Sequence, residues 1–345
     1  MESLTILFKK ILMQKISILG DGGWGTTLSR HLCLKGFPVS LWSPFPEYAK
    51  HLQKTRENTK FLAGVKIPHE IDITSDLEAA INGKDIIIIA IPSQYIRSVL
   101  SKISKKCDKK ALYVSVSKGI EEKSLMRISE IVKTVIGDVN FSVLSGPSIA
   151  IEVVKGIPTV VVAASGKIEN AKIVQDIFMA ERFRVYTTTD VAGVELGGSV
   201  KNIIAIAAGI NDGLGLGSNS KSALMIRGIV EMARLGAKFG ADENTFKGLS
   251  GMGDLITTCI SKNSRNRWFG EEIGKGKKIS EILKTTEMVV EGFATTRSVY
   301  ELSNKLGVDM PITKQVYSIL YEKKNPKDAV FELMSRPPKT ESQKN

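Results

Sequence analysis

The type of fold is indicated by residues 15–42, KISILGDGGWGTTLSRHLCLKGFPVSLW. A short apolar run ends at Gly20, a helical pattern follows as far as Gly36, and a second apolar run occupies residues 37–42. Strand, turn, helix and strand within about thirty residues predict a βαβ unit, the building block of a parallel sheet.

The turn of this unit carries glycines at G-x-G-x-x-G spacing. Gly20 permits a tight turn, Gly22 lets backbone N–H groups approach a pyrophosphate, and Gly25 lets the helix pack closely on the strand. Because the helix begins here, its partly positive N-terminus would face the phosphates. This context favours a dinucleotide-binding turn over a merely glycine-rich one. The acidic residue expected about twenty positions on is missing, so ribose recognition stays open.

Further strands are predicted from continuous apolar runs at 85–92, 111–117, 141–147, 159–165 and 182–190. Continuous rather than alternating apolarity is typical of a parallel sheet that is covered on both faces. After Asp190 only helical spacing remains, at 191–212, 221–240 and 293–307. The sequence therefore predicts an α/β fold, with an N-terminal Rossmann-like dinucleotide-binding domain followed by an all-helical C-terminal domain.

These patterns predict four segments. Residues 1–13 form an extension and residues 14–190 the Rossmann-like domain. Residues 191–335 form a helical domain, and the polar residues 336–345 form a disordered tail. The resemblance described below makes the first of these domains NAD(P)-binding and the second the substrate domain. Three widely separated cysteines and the lack of an apolar run of about 18 residues lead us to expect a cytoplasmic protein without a structural metal or membrane span.

The chain is basic, with 48 Lys and Arg against 36 Asp and Glu and a formal net charge of +12. This balance favours anionic ligands, from small phosphates to nucleic acid. A nucleic-acid interface would interleave aromatic and basic residues along one face, and only Trp268 and Phe269 fit that pattern. We therefore expect a small anionic ligand and no nucleic acid.

Three cationic positions are candidates for chemistry. Lys201 lies in a stretch of small and apolar residues, where it either extends to solvent or sits in a cleft with a lowered pKa. Lys118 directly follows an apolar strand, and ligands of parallel sheets bind beyond the carboxyl ends of the strands. A surface lysine in a loop would show the same sequence pattern. Arg265 stands between Ser264 and Asn266. These side chains could bind a phosphate monoester, or they could belong to an ordinary polar loop between helices.

Several blocks together make the chain resemble the bacterial-type NAD(P)-dependent glycerol-3-phosphate dehydrogenases. They follow the order of that family from about residue 15 to about residue 300. The blocks are GDGGWGT, ENTKFLAGVKIP, SKGIE, LSGPSIA, GVELGGSVKNIIAIAAGINDGLGLGSNSKSALM, TFKGLSGMGDLITTC, SRNRWFG and VVEGFATT.

The resemblance implies reversible reduction of dihydroxyacetone phosphate to sn-glycerol 3-phosphate, which supplies phospholipid synthesis, by a cytoplasmic homodimer. It makes Lys201 the proton acceptor for the substrate hydroxyl and places Lys118 at both cofactor and substrate. The other substrate positions that it implies are Gly146, Ser148, Asp254, Ser264, Arg265 and Asn266. The cofactor positions, besides the three turn glycines, are Gly23, Trp24, Ala150, Arg265, Val289 and Glu291.

Two departures from that family bear on ligands. Pro44 and Phe45 follow the second strand where relatives carry cations suited to a 2′-phosphate, so we expect a weaker NADP preference and plausible use of NAD. Ile149 and Ile151 replace the usual His and Glu, so contacts from those side chains are not carried over. Two other functions remain open: a two-domain β-hydroxyacid dehydrogenase acting on a carboxylate, and a non-catalytic NAD-binding redox sensor.

Overall fold

The structure, a computed structural model, describes residues 14–286, 289–338 and 340–341. The predicted extension, residues 1–13, lies outside the described residues. The same holds for residues 339 and 342–345 of the predicted tail.

One eight-stranded sheet forms the N-terminal half, in the order β3-β2-β1-β4-β5-β6-β7-β8. Its strands are β1 Ile16–Leu19, β2 Val39–Trp42, β3 Asp72–Thr74, β4 Ile86–Ile89, β5 Leu112–Ser115, β6 Asn140–Ser145, β7 Thr159–Ala164 and β8 Phe183–Thr188. Strand β3 escaped the sequence analysis because it has three residues and only Ile73 among them is apolar and buried.

Neighbouring strands are parallel except β6 and β7, which pair antiparallel through Leu144 and Ala163. The expectation of an entirely parallel sheet is therefore wrong at this pair. The connection between the two strands contains only a five-residue helix, Ala150–Val154. Such a helix is about 7.5 Å long, whereas a six-residue strand extends about 20 Å, so the chain turns back instead of crossing the sheet.

Helices cover both faces of the sheet, as continuous apolar strands require. They are α1 Gly23–Leu34, α2 Pro46–Thr55, α3 Leu77–Ile81, α4 Ile96–Ile103, α5 Ile128–Ile136, α6 Ala150–Val154 and α7 Ile168–Phe178. Separate apolar clusters lie on the two faces, one including Ile18 and Leu28 and the other Leu19 and Ile96.

The C-terminal half is helical. It comprises α8 Val191–Gly213, α9 Gly217–Ala237, α10 Glu243–Lys247, α11 Asp254–Ile260, α12 Arg265–Gly274, α13 Ile279–Lys284, α14 Glu291–Leu306, α15 Pro311–Tyr321 and α16 Pro326–Met334. Asp190 caps the first of these helices by accepting a hydrogen bond from the Gly193 N–H at 2.8 Å. The same carboxylate also accepts from the Thr245 hydroxyl at 2.7 Å, which ties this corner to α10.

Helix α8 is the axis of this half and contacts α9, α11, α12 and α14. It approaches α12 backbone to backbone, because a Cβ added at Gly209 would lie 1.9 Å from the Arg267 carbonyl oxygen. Among the described residues it is also the one helix that is long and apolar enough to span a membrane, and 89% of that window is buried inside the protein. Core helices of soluble proteins meet the same test of length and hydropathy.

Candidate active site

The glycine turn between β1 and α1 has the geometry of a phosphate cradle. Gly20 has φ of 121°, and a Cβ there would lie 2.5 Å from the Ala90 carbonyl oxygen. A Cβ at Gly25 would lie 2.0 Å from the Gly20 carbonyl oxygen, whereas one at Gly22 would meet nothing within 4 Å. The turn therefore leaves open space at Gly22, next to the N-terminus of α1, which fits the pyrophosphate of a dinucleotide.

Trp24 lies in the first turn of α1 and packs partly against the apolar cluster beneath the sheet. Gly23 precedes it, with the Phe61 carbonyl oxygen 2.6 Å from the position of an added Cβ and the Ala150 Cβ 3.9 Å away. The start of α1 is thus enclosed by two other segments, and three of the predicted cofactor positions are neighbours.

Asn58 fastens one of these segments to the glycine turn. Its side-chain amide donates to the Asp21 carbonyl oxygen at 2.6 Å and to the Thr26 hydroxyl at 2.7 Å. Its side-chain carbonyl accepts from the Tyr48 hydroxyl at 2.7 Å and from the Phe61 N–H at 3.1 Å. Sequence reasoning quoted the ENTKFLAGVKIP block without assigning a role to its Asn, although a fully buried amide needs such partners.

At the centre of the site, one buried carboxylate holds two lysines. Asp254 Oδ1 accepts from Lys201 Nζ at 2.8 Å, and Asp254 Oδ2 accepts from Lys118 Nζ at 2.5 Å. Lys201 Nζ also donates to the Thr258 hydroxyl at 2.6 Å, one turn along α11. Lys201 and Asp254 are 6% and 2% exposed, so the unusual lysine of the apolar stretch is buried and does not extend to solvent.

Burial and neighbouring charges together determine the pKa values of Lys201 and Asp254. Desolvation lowers the pKa of Lys201 to about 8, and the Lys118 charge acts in the same direction, while Asp254 opposes both. Burial alone would raise the pKa of Asp254, but the two ammonium groups outweigh it and the pKa is lowered. Lys201 can therefore exchange a proton near neutrality beside a carboxylate that stays ionised.

The loop that bears Lys118 is held by two helices of the C-terminal half. Its Gly119 N–H donates to the Ser199 hydroxyl of α8 at 2.9 Å. The carbonyl oxygen of Ile120 accepts from the Ser298 hydroxyl of α14 at 2.9 Å. Because both contacts come from the helical half, the position of Lys118 depends on how the two halves pack together.

Gly146 and Ser148 lie beside Lys118, at the end of β6. Gly146 has φ of 132°, and its carbonyl oxygen accepts from Lys118 Nζ at 3.2 Å and from the Ser148 hydroxyl at 2.9 Å. The neighbouring Ser145 hydroxyl is buried without a partner among the described residues, and it would lie 2.8 Å from a Cβ added at Gly198. A polar group without a partner near Lys118 fits a polar, anionic ligand.

Arg265 forms a second cluster with two of the predicted cofactor positions. Its guanidinium donates to the Val289 carbonyl oxygen at 3.0 Å and attracts the carboxylate of Glu291. Glu291 also accepts a hydrogen bond from the Ser93 hydroxyl at 3.1 Å. Burial raises the pKa of Glu291 to about 7, whereas Ser93 and Arg265 act against that rise.

The residues flanking Arg265 bond to protein groups. Ser264 caps α12, where its hydroxyl accepts from the Arg267 N–H at 3.2 Å. Asn266 donates to Asn202 Oδ1 at 2.9 Å and accepts from the Gly292 N–H at 2.9 Å. Because Asn202 follows Lys201 directly on α8, this pair of amides connects the Arg265 cluster to the buried lysine.

The site therefore lies between the sheet edge and the helical half. Turn glycines, Lys118 and Gly146 follow the carboxyl ends of β1, β5 and β6, where ligands bind in doubly wound sheets. Lys201 and Asp254 meet them from α8 and α11. Sequence reasoning missed Thr258, whose only signal is its position one helical turn after Asp254.

Comparison with known proteins identifies relatives across nearly the whole chain. Residues 15–171 match the family described as NAD-dependent glycerol-3-phosphate dehydrogenase N-terminus, and residues 190–331 match the corresponding C-terminus. A glycerol-3-phosphate dehydrogenase (NAD(P)+) of Prosthecochloris aestuarii is 50% identical over 329 residues, covering 94% of this chain and 99% of that protein. One from a Thermoanaerobacter species is 50% identical over 327 residues, covering 95% of this chain and 98% of that protein.

A solved structure is also close. The crystal structure of glycerol-3-phosphate dehydrogenase from Coxiella burnetii superposes with a TM-score of 0.92 at 40% identity. The match covers 94% of this chain and 100% of that one. The likeness thus includes both the sheet with its glycine turn and the helical half that carries the buried lysine.

Proposed function

The chain belongs to the NAD-dependent glycerol-3-phosphate dehydrogenase family, and from that premise we propose that Lys201 is the acid and base of its reaction. The enzyme is an NAD(P)-dependent oxidoreductase that acts on a CH–OH group, reversibly reducing dihydroxyacetone phosphate to sn-glycerol 3-phosphate. The observation that carries the proposal is the buried contact of Lys201 with Asp254 and Thr258.

The nicotinamide cofactor, when bound, supplies the hydride to substrate C2. In the direction of reduction, Lys201 donates its proton to the oxygen on that carbon, and in the direction of oxidation it accepts the proton back. A pKa of about 8 allows both roles near neutrality. General acid–base catalysis of this kind contributes about 10² to 10⁴ in rate.

Asp254 and Lys118 are proposed to support that proton transfer. Asp254 holds both ammonium groups, so Lys201 points its donor in a defined direction. Lys118 adds a second positive charge near the reacting oxygen, which stabilises negative charge that develops there during reduction. Gly146 and Ser148, which hydrogen-bond beside Lys118, line the same part of the substrate site.

We propose that Arg265 binds the substrate phosphate, together with Ser264 and Asn266. A guanidinium suits a phosphate because it offers several donors in a fixed plane. Asn266 is oriented by Asn202 and by the Gly292 N–H, so the start of α12 is fixed relative to Lys201. Binding energy from the phosphate then orients the reacting carbon against the buried lysine.

The residues at the glycine turn fit a dinucleotide, because the open space at Gly22 adjoins the N-terminus of α1. We propose that Gly20, Gly22, Gly23, Trp24 and Gly25 bind the cofactor from this side. Ala150, which lies next to Gly23, is proposed to bind the cofactor at the same place. The other proposed cofactor residues are Lys118, Arg265, Val289 and Glu291. Pro44 and Phe45 bring no cation to the end of β2, which supports use of NAD.

The cellular assignment is likewise proposed from the family. A glycerol-3-phosphate dehydrogenase supplies the backbone of phospholipids, and we propose that role here, in the cytoplasm and as a homodimer. We keep the division into a Rossmann domain, 14–190, and a substrate domain, 191–335, because β8 ends at Thr188 and α8 begins at Val191.

The function is tested by turnover of the purified chain with dihydroxyacetone phosphate and NADH or NADPH, followed by the absorbance of the reduced nicotinamide. A 2-keto acid without phosphate serves as the rival substrate. Turnover with the phosphorylated ketone alone supports the proposal. Turnover with the keto acid instead would favour a β-hydroxyacid dehydrogenase, and no turnover with either would favour a redox sensor.

A further inference from the structure

The carboxyl end of β2 is where a dinucleotide-binding fold reads the adenosine ribose. An acidic residue there hydrogen-bonds the ribose 2′-hydroxyl of NAD, while a cation accommodates the 2′-phosphate of NADP. In this chain Ser43 is the first residue after β2, and Pro44 and Phe45 follow it. The local sequence therefore carries neither the carboxylate nor the cation.

The structure brings a carboxylate to this position from the glycine turn. Asp21 lies between Gly20 and Gly22, and its Oδ2 accepts a hydrogen bond from the Ser43 hydroxyl at 2.5 Å. Asp21 is 5% exposed and Ser43 is fully buried. The Asp21 backbone is fixed as well, because its carbonyl oxygen accepts from the Asn58 amide at 2.6 Å.

We propose that Asp21, held by Ser43, is the specificity-determining residue that makes NAD the preferred cofactor by disfavouring a 2′-phosphate. The proposal rests on the proposed function, since it concerns the cofactor of that same site. A carboxylate at the ribose position accepts a hydrogen bond from a 2′-hydroxyl, but it repels a phosphate. Like charges brought together in a poorly solvated site repel strongly, so NADPH is disfavoured relative to NADH.

The charges around Asp21 are consistent with this role. Burial raises the pKa of Asp21, and the Ser43 hydrogen bond and the Lys60 charge offset that rise in part by favouring the ionised form. Lys60 lies over the Tyr48 ring, with its Nζ 5.4 Å from the ring centroid. Lys60 is thus a positive charge close enough to Asp21 to favour its ionised form.

The experiment measures the dissociation constants of NADH and NADPH by nicotinamide fluorescence, without substrate. Wild-type protein should bind NADH at least ~10-fold more tightly than NADPH. D21N should bring the two constants to within about threefold, mainly through tighter NADPH binding. S43A, which frees the carboxylate, should weaken NADH binding while the preference for NADH persists.

A second Asp–Ser pair, between Asp72 of β3 and Ser40 of β2, provides a matched control. Asp72 Oδ2 accepts from the Ser40 hydroxyl at 3.3 Å, an Asp–Ser pair at the start of β3 rather than at the carboxyl end of β2. D72N should leave both dissociation constants unchanged. Competition with NADH by AMP and by 2′-phosphorylated AMP isolates the contribution of the ribose region. D21N should tighten the binding of the 2′-phosphorylated competitor and leave the binding of AMP unchanged.

Three results would overturn the proposal. They are a wild-type preference for NADPH, a D21N protein that melts normally and keeps the wild-type ratio, and a D21N protein that improves binding of AMP as much as binding of 2′-phosphorylated AMP. Because cofactor binding is measured without dihydroxyacetone phosphate, failure of the proposed reaction would appear only in the turnover assay. The two hypotheses therefore fail separately.

Discussion

Replacing Asp254 by Asn tests how the site controls its proton. The substitution keeps the size of the side chain and removes the charge that faces both Lys118 and Lys201. Desolvation of Lys201 remains, and the repulsion between the two ammonium groups is no longer offset. The pKa of Lys201, about 8 in the native site, should therefore fall further.

The distance sets the size of the effect. At 2.8 Å and an effective dielectric constant of about 20, the attraction between Asp254 and Lys201 is about 6 kcal/mol. One pKa unit corresponds to about 1.36 kcal/mol. Even if relaxation and entering water cancel three quarters of the attraction, the pKa of Lys201 falls by about one unit.

The assay is the pH dependence of kcat in both directions. Oxidation of glycerol 3-phosphate needs neutral Lys201, so its rate rises with pH through the Lys201 pKa. Reduction needs charged Lys201, so its rate falls through the same pKa. In D254N both limbs should move to lower pH by at least about one unit. A folded D254N protein that binds cofactor and keeps both pH profiles of kcat at their wild-type positions would contradict this prediction.

Three more outcomes follow from the contacts. Ser199→Ala removes the hydroxyl that holds Gly119 and should cost about 1 kcal/mol of stability, with a raised KM for dihydroxyacetone phosphate; wild-type kinetics would count against this positioning role. Gly25→Ala places a Cβ 2.0 Å from the Gly20 carbonyl oxygen, so titration should show cofactor affinity at least ~10-fold weaker, and unchanged affinity would contradict the close approach. Burial raises the pKa of Glu231 from 4.5 to about 7, so its contribution to stability is present below pH 4.5 and is lost as the pH rises through about 7. Urea unfolding of Glu231→Gln should therefore show a smaller loss of stability between about pH 5 and pH 8, and an equal loss would refute the assignment.

The features that sequence predicted best are local ones. The glycine turn could be recognised because a positive φ and a close backbone approach restrict Gly20 and Gly25 to glycine. Lys201 was noticeable because a charge in a small, apolar stretch is costly unless it has partners. Its partners could not be read in the same way, since Asp254 and Thr258 meet it only through the packing of α11 on α8.

Features that depend on pairing between distant segments were missed. The antiparallel pairing of β6 with β7 depends on the length of one short helix, which apolarity does not reveal. The residues after β2 include no carboxylate before Glu47, and the carboxylate that accepts from Ser43 belongs to Asp21 in the glycine turn. Sequence spacing describes the position of a residue along the chain, whereas this contact depends on how the turn and the strand lie together.

Lys201→Met is the sharpest test of whether Lys201 transfers the proton, because the side chain keeps its length and loses its charge. The measurement is the single-turnover rate of NADH oxidation after mixing with dihydroxyacetone phosphate, with Kd for NADH determined in parallel. We expect a Kd within about threefold of wild type and a hydride-transfer rate lower by at least ~10²-fold. A near wild-type rate in a protein that binds NADH normally would contradict it.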